Sequence, residues 1–305
     1  LKSKTLVVVT GPTAVGKTAL CVELAQALQT EIVSADARQI YREMRIGTAR
    51  PTQEEMGGVV HHFIASHSIH DNYSAGKYEA EALRLLSSLF ERYDTLLLTG
   101  GSGLYIKAVC SGLDNFPEIP PSIRQQLQQE LEQKGLESLQ KELLALDPES
   151  YAEIDLQNPR RVLRALEVCR ASGRPYAYFK RRAAAKRPFR IVGFVLHRPR
   201  PILYKRINQR VDMMMQEGLW EEAQALFPFR HLTALQTVGY QELFEAMEGK
   251  YDRTTAVELI KRNTRRYAKR QLTWFRHQHP AFEWIDMEGR SHAQIIEHIV
   301  GRLHA

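Results

Sequence analysis

The first apolar run of the chain, TLVVV at 5–9, has no polar break and is dominated by β-branched residues. That pattern predicts a strand covered on both faces of a parallel sheet. After the glycine-bearing stretch GPTAVGKT, apolar residues recur at Leu20, Leu24, Ala27 and Leu28, the spacing of a helix. A second short strand is predicted over EIVSAD (31–36), a helix over 75–92, a third strand over TLLLTG (95–100) and a fourth over IVGFVL (191–196). Strands alternating with helices predict an α/β fold with a parallel sheet flanked by helices.

The stretch from 113 to 188 breaks this rhythm. It opens on FPEIPP, runs as helical pattern through SIRQQLQQELEQKGLESLQKELLAL, and closes on KRRAAAKRP. It is predicted to be an all-helical insertion domain, 113–187, between two parts of a core at 1–112 and 188–305. Beyond the fourth strand only helix is predicted: 201–216 with Pro201 in its first turn, then 219–227, 239–248 and 254–277.

The 305 residues are 44% hydrophobic and 25% charged, ordinary for a globular protein. No apolar run reaches the length of a membrane span, and no charged-then-apolar leader precedes the first strand. Cys21, Cys110 and Cys169 are scattered, with no C-x-x-C pair. A cytoplasmic protein without membrane association is therefore expected.

The charge distribution changes this plain picture. Residues 171–276 hold 22 Lys/Arg against 9 Asp/Glu, a net of +13, so the remainder carries −6 of the total +7. Either a polyanionic partner or a solubilising basic surface would account for such a segment.

GPTAVGKT at 11–18 fits G-x-x-x-x-G-K-[ST], the phosphate-cradling P-loop. With a strand before it and a helix after it, the fold expected is that of a P-loop NTPase-like core. Gly11 and Gly16 allow the backbone to turn successive N–H groups around phosphate oxygens, and Lys17 adds charge. Thr18 is the expected ligand of Mg²⁺. Asp36 ends the second strand, where functional groups collect in open α/β sheets, and its carboxylate suits a general base or a water-mediated metal contact.

The third strand ends in TGGSGLY rather than in the metal-organising carboxylate of a nucleotide hydrolase, and no N-K-x-D motif is present. Ser102 there offers a hydroxyl for hydrogen bonding. His61 and His62 are adjacent and would point opposite ways on a strand, so a structural role is expected for them. Arg206 and Arg210 are four apart on a helix beside the stripe Leu203, Ile207, Val211 and Met214. They form either a diphosphate clamp or a solvated face. In 254–276, Thr255 and Glu258 match a capping box. Arg262, Arg265, Arg266, Lys269 and Arg276 share one side, and Val257, Ile260, Tyr267 and Trp274 suggest the packed side. Such a face reads as a contact for nucleic-acid backbone.

Taken together, GPTAVGKT, SADARQIYREMRIGTARP, HHF, GGSGLYIKA, NPRRVLRALEV, LYKRINQRVDMM, VGYQEL and TRRYAKRQLTWFR resemble, in order and over nearly the whole length, the tRNA dimethylallyltransferase (isopentenyltransferase) family of bacterial type. The resemblance implies transfer of a dimethylallyl group from dimethylallyl diphosphate to the exocyclic amine of an adenosine beside the anticodon of tRNA. It makes Asp36 the general base. Gly11, Pro12, Thr13, Ala14, Val15, Gly16, Lys17 and Thr18, with Mg²⁺, would hold the diphosphate, aided by Arg206 and Arg210.

For the anticodon stem-loop, the resemblance points to Asp36, Ala37, Arg38, Gln39 and Ser102, and to Arg124 in the insertion. Gln157, Asn158, Pro159, Arg160 and Arg161 follow. The segment Gln236, Thr237, Val238, Gly239, Tyr240 and Gln241 matches as well. So do Lys269, Arg270, Gln271, Leu272, Thr273, Trp274, Phe275 and Arg276. Ser102 stands where the family usually has Thr, which keeps the hydroxyl, and Ala37 replaces a common Ser, which removes that side chain's hydrogen bond. The zinc-finger extension of eukaryotic relatives is not in the sequence. A monomer is expected. Competing readings are a small-molecule phosphotransferase, an adenylate prenyltransferase and a non-enzymatic RNA-binding P-loop protein. The basic helix disfavours the first two, and Asp36 beside an intact loop disfavours the third.

Overall fold

TLVVV becomes the innermost part of a strand whose six residues are all buried. The computed structural model describes residues 4–180 and 185–304, so part of KRRAAAKRP lies outside the described residues. The chain divides into two compact units, one of residues 1–111 and 186–305 and the other of residues 112–185.

The first unit begins β1 (Thr5–Thr10), α1 (Lys17–Ala27), β2 (Ile32–Ser34), α2 (Gln53–Met56), β3 (His61–His62), α3 (Ala75–Arg92), β4 (Thr95–Gly100) and α4 (Gly103–Ser111). The second unit holds α5 (Pro121–Leu146), α6 (Pro148–Glu153), α7 (Pro159–Ser172) and α8 (Tyr176–Phe179). The first unit then resumes with β5 (Arg190–His197), α9 (Arg200–Gln216), α10 (Leu219–Leu226), α11 (Tyr240–Met247), α12 (Arg253–Gln278), β6 (Glu283–Asp286) and α13 (His292–His304).

The six strands form one sheet in the order β3-β2-β4-β1-β5-β6, and every pairing is parallel. Residues of β1 alternate between two cores, as the pleat requires. Val7 and Val9 pack with Leu20 and Leu24 of α1 and with Ile295 and Ile299 of α13. Leu6 and Val8 pack on the opposite face with Tyr78 and Leu86 of α3 and Ile106 of α4. Helix α12 gives Ala268 to the first core and Phe275 to the second. A third core joins Ile40, Met44 and Ile46 to Val211, Leu219, Tyr240, Phe244 and Ile260.

Three expectations are corrected. The region beyond the fourth strand is not helix alone, because EWID at 283–286 forms β6, pairing Val195 with Trp284. Helix α12 does not start on the Thr255/Glu258 box. Asp252 caps it instead, its side chain accepting the Thr255 N–H at 2.7 Å. The long helix of the insertion is broken at Gly135, whose φ of 74° leaves helical geometry.

Within the second unit, Leu127, Leu139 and Leu143 of α5 pack on Val162, Ala165 and Leu166 of α7. Arg170 ties the two segments of α5 together, bonding Glu130 at 2.9 Å and Glu142 at 2.6 Å. Among the described residues no helix is long and apolar enough to cross a membrane. All three cysteines are free and buried.

Candidate active site

The phosphate motif folds as a loop between β1 and α1. Gly11 is required by close approach: a Cβ there would lie 2.5 Å from the Leu196 carbonyl oxygen. Gly16 precedes α1 at φ 109°, and Ala14 adopts φ 62°, a costly conformation for an L-residue that is found where a loop is held for function. The N–H groups of Ala14 and Gly16 have no protein acceptor among the described residues. They and the unpaired first turn of α1 leave a concave set of donors suited to an anion.

Lys17 donates to the carbonyls of Gly11 (2.9 Å) and Pro12 (2.8 Å). Burial pulls its ammonium down to about 8, with Asp36 opposing and Arg210 adding to the fall. A bound anion would reverse this by supplying the missing counter-charge.

Three arginines surround the same loop. Arg206 Nε donates to Ala14 O at 2.8 Å, and Arg198 Nε to Val15 O at 2.9 Å. Arg198 also pairs with Glu288 at 2.6 Å. Arg210 makes no hydrogen bond or ion pair among the described residues. Burial lowers the affinity of both Arg206 and Arg210 for their protons, and each is further disfavoured by a neighbouring arginine. Cations gathered with so little carboxylate nearby are stabilised by an anionic ligand. Arg206 is exposed but anchored to the loop through Ala14 O, and Arg210 is half-buried on the same side of α9.

Arg198 has no signal in helical periodicity. Its one clue is its place immediately after a core strand, at the carboxyl end of the sheet. It also lines, with His197, Leu272, Arg276 and Trp284, a hollow of about 410 Å³.

Asp36 stands just past β2. Its Oδ1 accepts the N–H groups of Arg38 (2.9 Å) and Gln39 (3.2 Å), while Oδ2 is in no hydrogen bond among the described residues. One oxygen therefore fixes the loop and the other is available to a substrate. Ser102 follows the end of β4, and its Oγ accepts the Ala37 backbone N–H at 2.8 Å. The methyl side chain at position 37 thus leaves this link intact, because the backbone makes it.

Tyr267 is corrected from packed to partly exposed, with 37% of its surface accessible. Desolvation of its hydroxyl, reinforced by the Asp36 charge and opposed by a hydrogen bond with Ser102, pushes it up to about 12. The sequence places Tyr267 on the inner side of α12, but only the structure shows that this side opens onto the site.

The expected RNA-contacting residues divide by exposure. Arg262, Arg266, Lys269, Arg270, Thr273 and Arg276 are exposed on α12, opposite the buried Ala256, Ile260, Ala268 and Phe275. Arg265 is half-buried and donates to Asn208 at 2.7 Å. Arg276 also stacks over Trp284 at 5.3 Å.

Tyr240 and Phe275 are fully buried, so their side chains are core rather than contacts. Gln271 is buried too, with its amide bonded to Thr13 N and Gly101 O. Leu272 is half-buried and packs against the first core. Trp274 lies against Gly103, where a Cβ would come within 2.2 Å of the indole. Gln39 reaches Ala49 O at 2.9 Å, and Gln236 and Gln241 bond each other at 2.7 Å. Thr237 and Val238 are half-buried beside Gly239, whose N–H is taken by Glu242 at 2.8 Å.

In the second unit, Asn158 caps α7 by accepting the Arg160 N–H at 3.1 Å, and Pro159 opens the helix. Gln157, Arg160 and Arg161 are exposed, and Arg124 pairs loosely with Glu167 at 3.6 Å.

His62 bonds Glu31 at 2.6 Å and His61 bonds Val59 O at 2.9 Å, both structural contacts. Among the described residues no group of three or more His, Cys, Asp or Glu could hold a metal by itself. Mg²⁺ does not need one, since it keeps several waters and uses one or two protein oxygens together with substrate phosphates. The exposed Thr18 hydroxyl on the first turn of α1 fits that hard, oxygen-only donor set.

The family profile described as IPP transferase matches residues 39–278. A tRNA dimethylallyltransferase of Christiangramia forsetii is 46% identical over 302 residues, 99% of each chain. That of Flavobacterium johnsoniae is 48% identical over 306 residues, 98% of each. The crystal structure of the full-length tRNA isopentenylpyrophosphate transferase from Bacillus halodurans superposes with a TM-score of 0.72 at 37% identity, covering 99% of this chain and 97% of that one.

Proposed function

The chain belongs to the IPP transferase family, and from that premise we propose that it is a tRNA dimethylallyltransferase. It moves a dimethylallyl group from dimethylallyl diphosphate to the exocyclic amine of the adenosine 3′ to the anticodon. The observation that carries this reading is the placement of Asp36. It has one oxygen held by the backbone and one free, and its charge acts on both Lys17 of the phosphate loop and Tyr267 of the basic helix.

The chemistry follows from that arrangement. An adenine amine is a weak nucleophile because its lone pair is delocalised into the ring. As the nitrogen bonds to the terminal allylic carbon, that carbon's bond to the diphosphate oxygen breaks, and the electron pair leaves with diphosphate. Free N–H groups of the loop, Lys17, Arg206 and Arg210 stabilise the negative charge that develops there. The free oxygen of Asp36 takes the proton lost by the amine. When bound, Mg²⁺ at Thr18 supplies further neutralisation of the leaving group.

A loop adenosine is already unpaired, so presenting it costs little beyond unstacking. The exposed cations of α12 hold RNA phosphates, and Arg160 and Arg161 of the second unit offer further contacts. The helical insertion 113–187 is assigned to tRNA contact on the same reading.

The test uses unmodified tRNA, Mg²⁺ and labelled dimethylallyl diphosphate with ATP in excess. Label is expected in tRNA despite the ATP. Absence of label in tRNA rejects the proposal, and equal labelling of free AMP would point to an adenylate prenyltransferase.

A further inference from the structure

Gln271 lies on α12 among exposed residues, between Arg270 and Thr273, yet it is only 6% accessible. Its Oε1 accepts the Thr13 N–H at 3.0 Å and its Nε2 donates to the Gly101 carbonyl at 2.8 Å. The amide thus spans the segments that leave β1 and β4. Space for it is kept by Gly101, where a Cβ would lie 2.5 Å from Nε2.

The bond to Thr13 has a specific consequence. Thr13 N–H and the Pro12 carbonyl belong to one planar peptide group. The Pro12 oxygen is where Lys17 Nζ rests, at 2.8 Å. Gln271 therefore fixes, from one side, the peptide plane that Lys17 holds from the other. The next residue, Ala14, is at φ 62° and gains no stability from its own conformation. An outside tether is what holds such a loop in a single arrangement.

We propose that Gln271 is a positioning residue for the diphosphate loop rather than an RNA contact. This rests on the reading of the loop as the diphosphate site. A primary amide offers an acceptor and a donor on one rigid plane. Gln271→Glu keeps the acceptor for Thr13 but turns a carboxylate oxygen toward the Gly101 carbonyl. Gln271→Ala removes both bonds.

In the transfer assay, both variants should raise KM for dimethylallyl diphosphate tenfold or more. Their tRNA Kd, measured by filter binding without donor, should stay within twofold of wild type. An RNA-contacting role gives the reverse split, with weaker tRNA binding and an unchanged donor KM, and overturns the proposal. Unchanged values for both also overturn it. A purely packing role lowers Tm without this split, and that result overturns it as well.

If wild type transfers no label, the functional reading fails separately. Gln271 is then judged by the Kd of inorganic diphosphate, which should weaken tenfold in the variants. Should neither variant fold, residue-resolved hydrogen exchange on the unliganded wild-type chain decides. Protection at the Thr13 amide is expected, and exchange at the rate of an open loop refutes the tether.

Discussion

The Glu222 carboxylate accepts the Tyr240 hydroxyl at 2.6 Å and, with the same two oxygens, the backbone N–H groups of Arg45, Ile46 and Gly47 at 3.1, 2.8 and 3.0 Å. A side chain of α10 thereby occupies the anion-binding nest of a loop that runs on from Asp36. Gly47 is needed for this, since a Cβ there would lie 2.6 Å from the Tyr240 ring. Glu222→Gln should cost roughly 1–3 kcal/mol by removing charge-assisted bonds. Tyr240→Phe should cost only about 1 kcal/mol, because the three amides remain paired. Chemical denaturation of both variants checks the order, and a larger loss for Tyr240→Phe would contradict it.

Asp36→Asn keeps an oxygen for the N–H groups of Arg38 and Gln39 but cannot accept a proton. It should lower kcat by about 10²–10⁴-fold, the usual contribution of a general base, with tRNA affinity nearly unchanged. Asp36→Ala loses the turn as well and should be no more active. Turnover near wild type in Asp36→Asn would remove the base from the mechanism.

His279, buried and stacked on Phe282 at 4.5 Å, has an Nε2 without a partner among the described residues. Burial, with Lys107 nearby, pulls it down to about 4 from 6.5. Between those values the unfolded chain binds the proton and the folded chain does not, so stability rises with pH across this window. It should fall by about 2–3 kcal/mol as pH drops from 6.5 through 4. His279→Gln should flatten that limb of a Tm-against-pH curve, and an unaltered limb would place the titration elsewhere.

Arg210, buried in part and unpaired, should matter to the donor alone. Arg210→Ala is expected to raise KM for dimethylallyl diphosphate roughly tenfold to a hundredfold, the worth of a charge-assisted phosphate bond. Steady-state kinetics at saturating tRNA measures it, and an equal rise in KM for tRNA would argue for a looser, structural effect.

Arg266 and Lys269 are exposed on the cation face of α12, whereas Arg265 is engaged with Asn208. Replacing Arg266 and Lys269 by Ala should weaken tRNA binding and reduce the slope of log K against log salt by about 1 for each phosphate no longer neutralised. Filter binding across a salt series reads this directly, and parallel lines would mean that this face is merely solvated.

The strands of the sheet centre and the long helices were legible because burial imposes a pattern on sequence. TLVVV and TLLLTG are covered on both faces, and α3 was predicted at 75–92, where it is found. Strand β6 was not legible. It is four residues long, sets the adjacent apolar pair Trp284 and Ile285 between Glu283 and Asp286 with no alternation, and owes its existence to the edge that β5 offers rather than to its own propensity. The start of α12 is ambiguous in the sequence because two capping patterns overlap, and Asp252, three residues before Thr255, takes the role.

At the site, the motif and Asp36 could be read locally. Arg198, the inward use of Gln271 and the exposure of Tyr267 could not. Each depends on which residue from a distant part of the chain stands opposite, and periodicity does not record that.

Met287, just beyond β6, donates its N–H to the His197 carbonyl at 2.9 Å, and its methyl group comes within 3.7 Å of where a Cβ on Gly16 would be. Glu288, next to it, holds Arg198. The floor of a loop encoded at the start of the chain is thus laid by residues that the ribosome adds more than 270 positions later. A nascent chain carries the full phosphate motif for most of its synthesis without the support beneath it. Competence to bind the donor should arrive late and abruptly, only once the last strand has emerged.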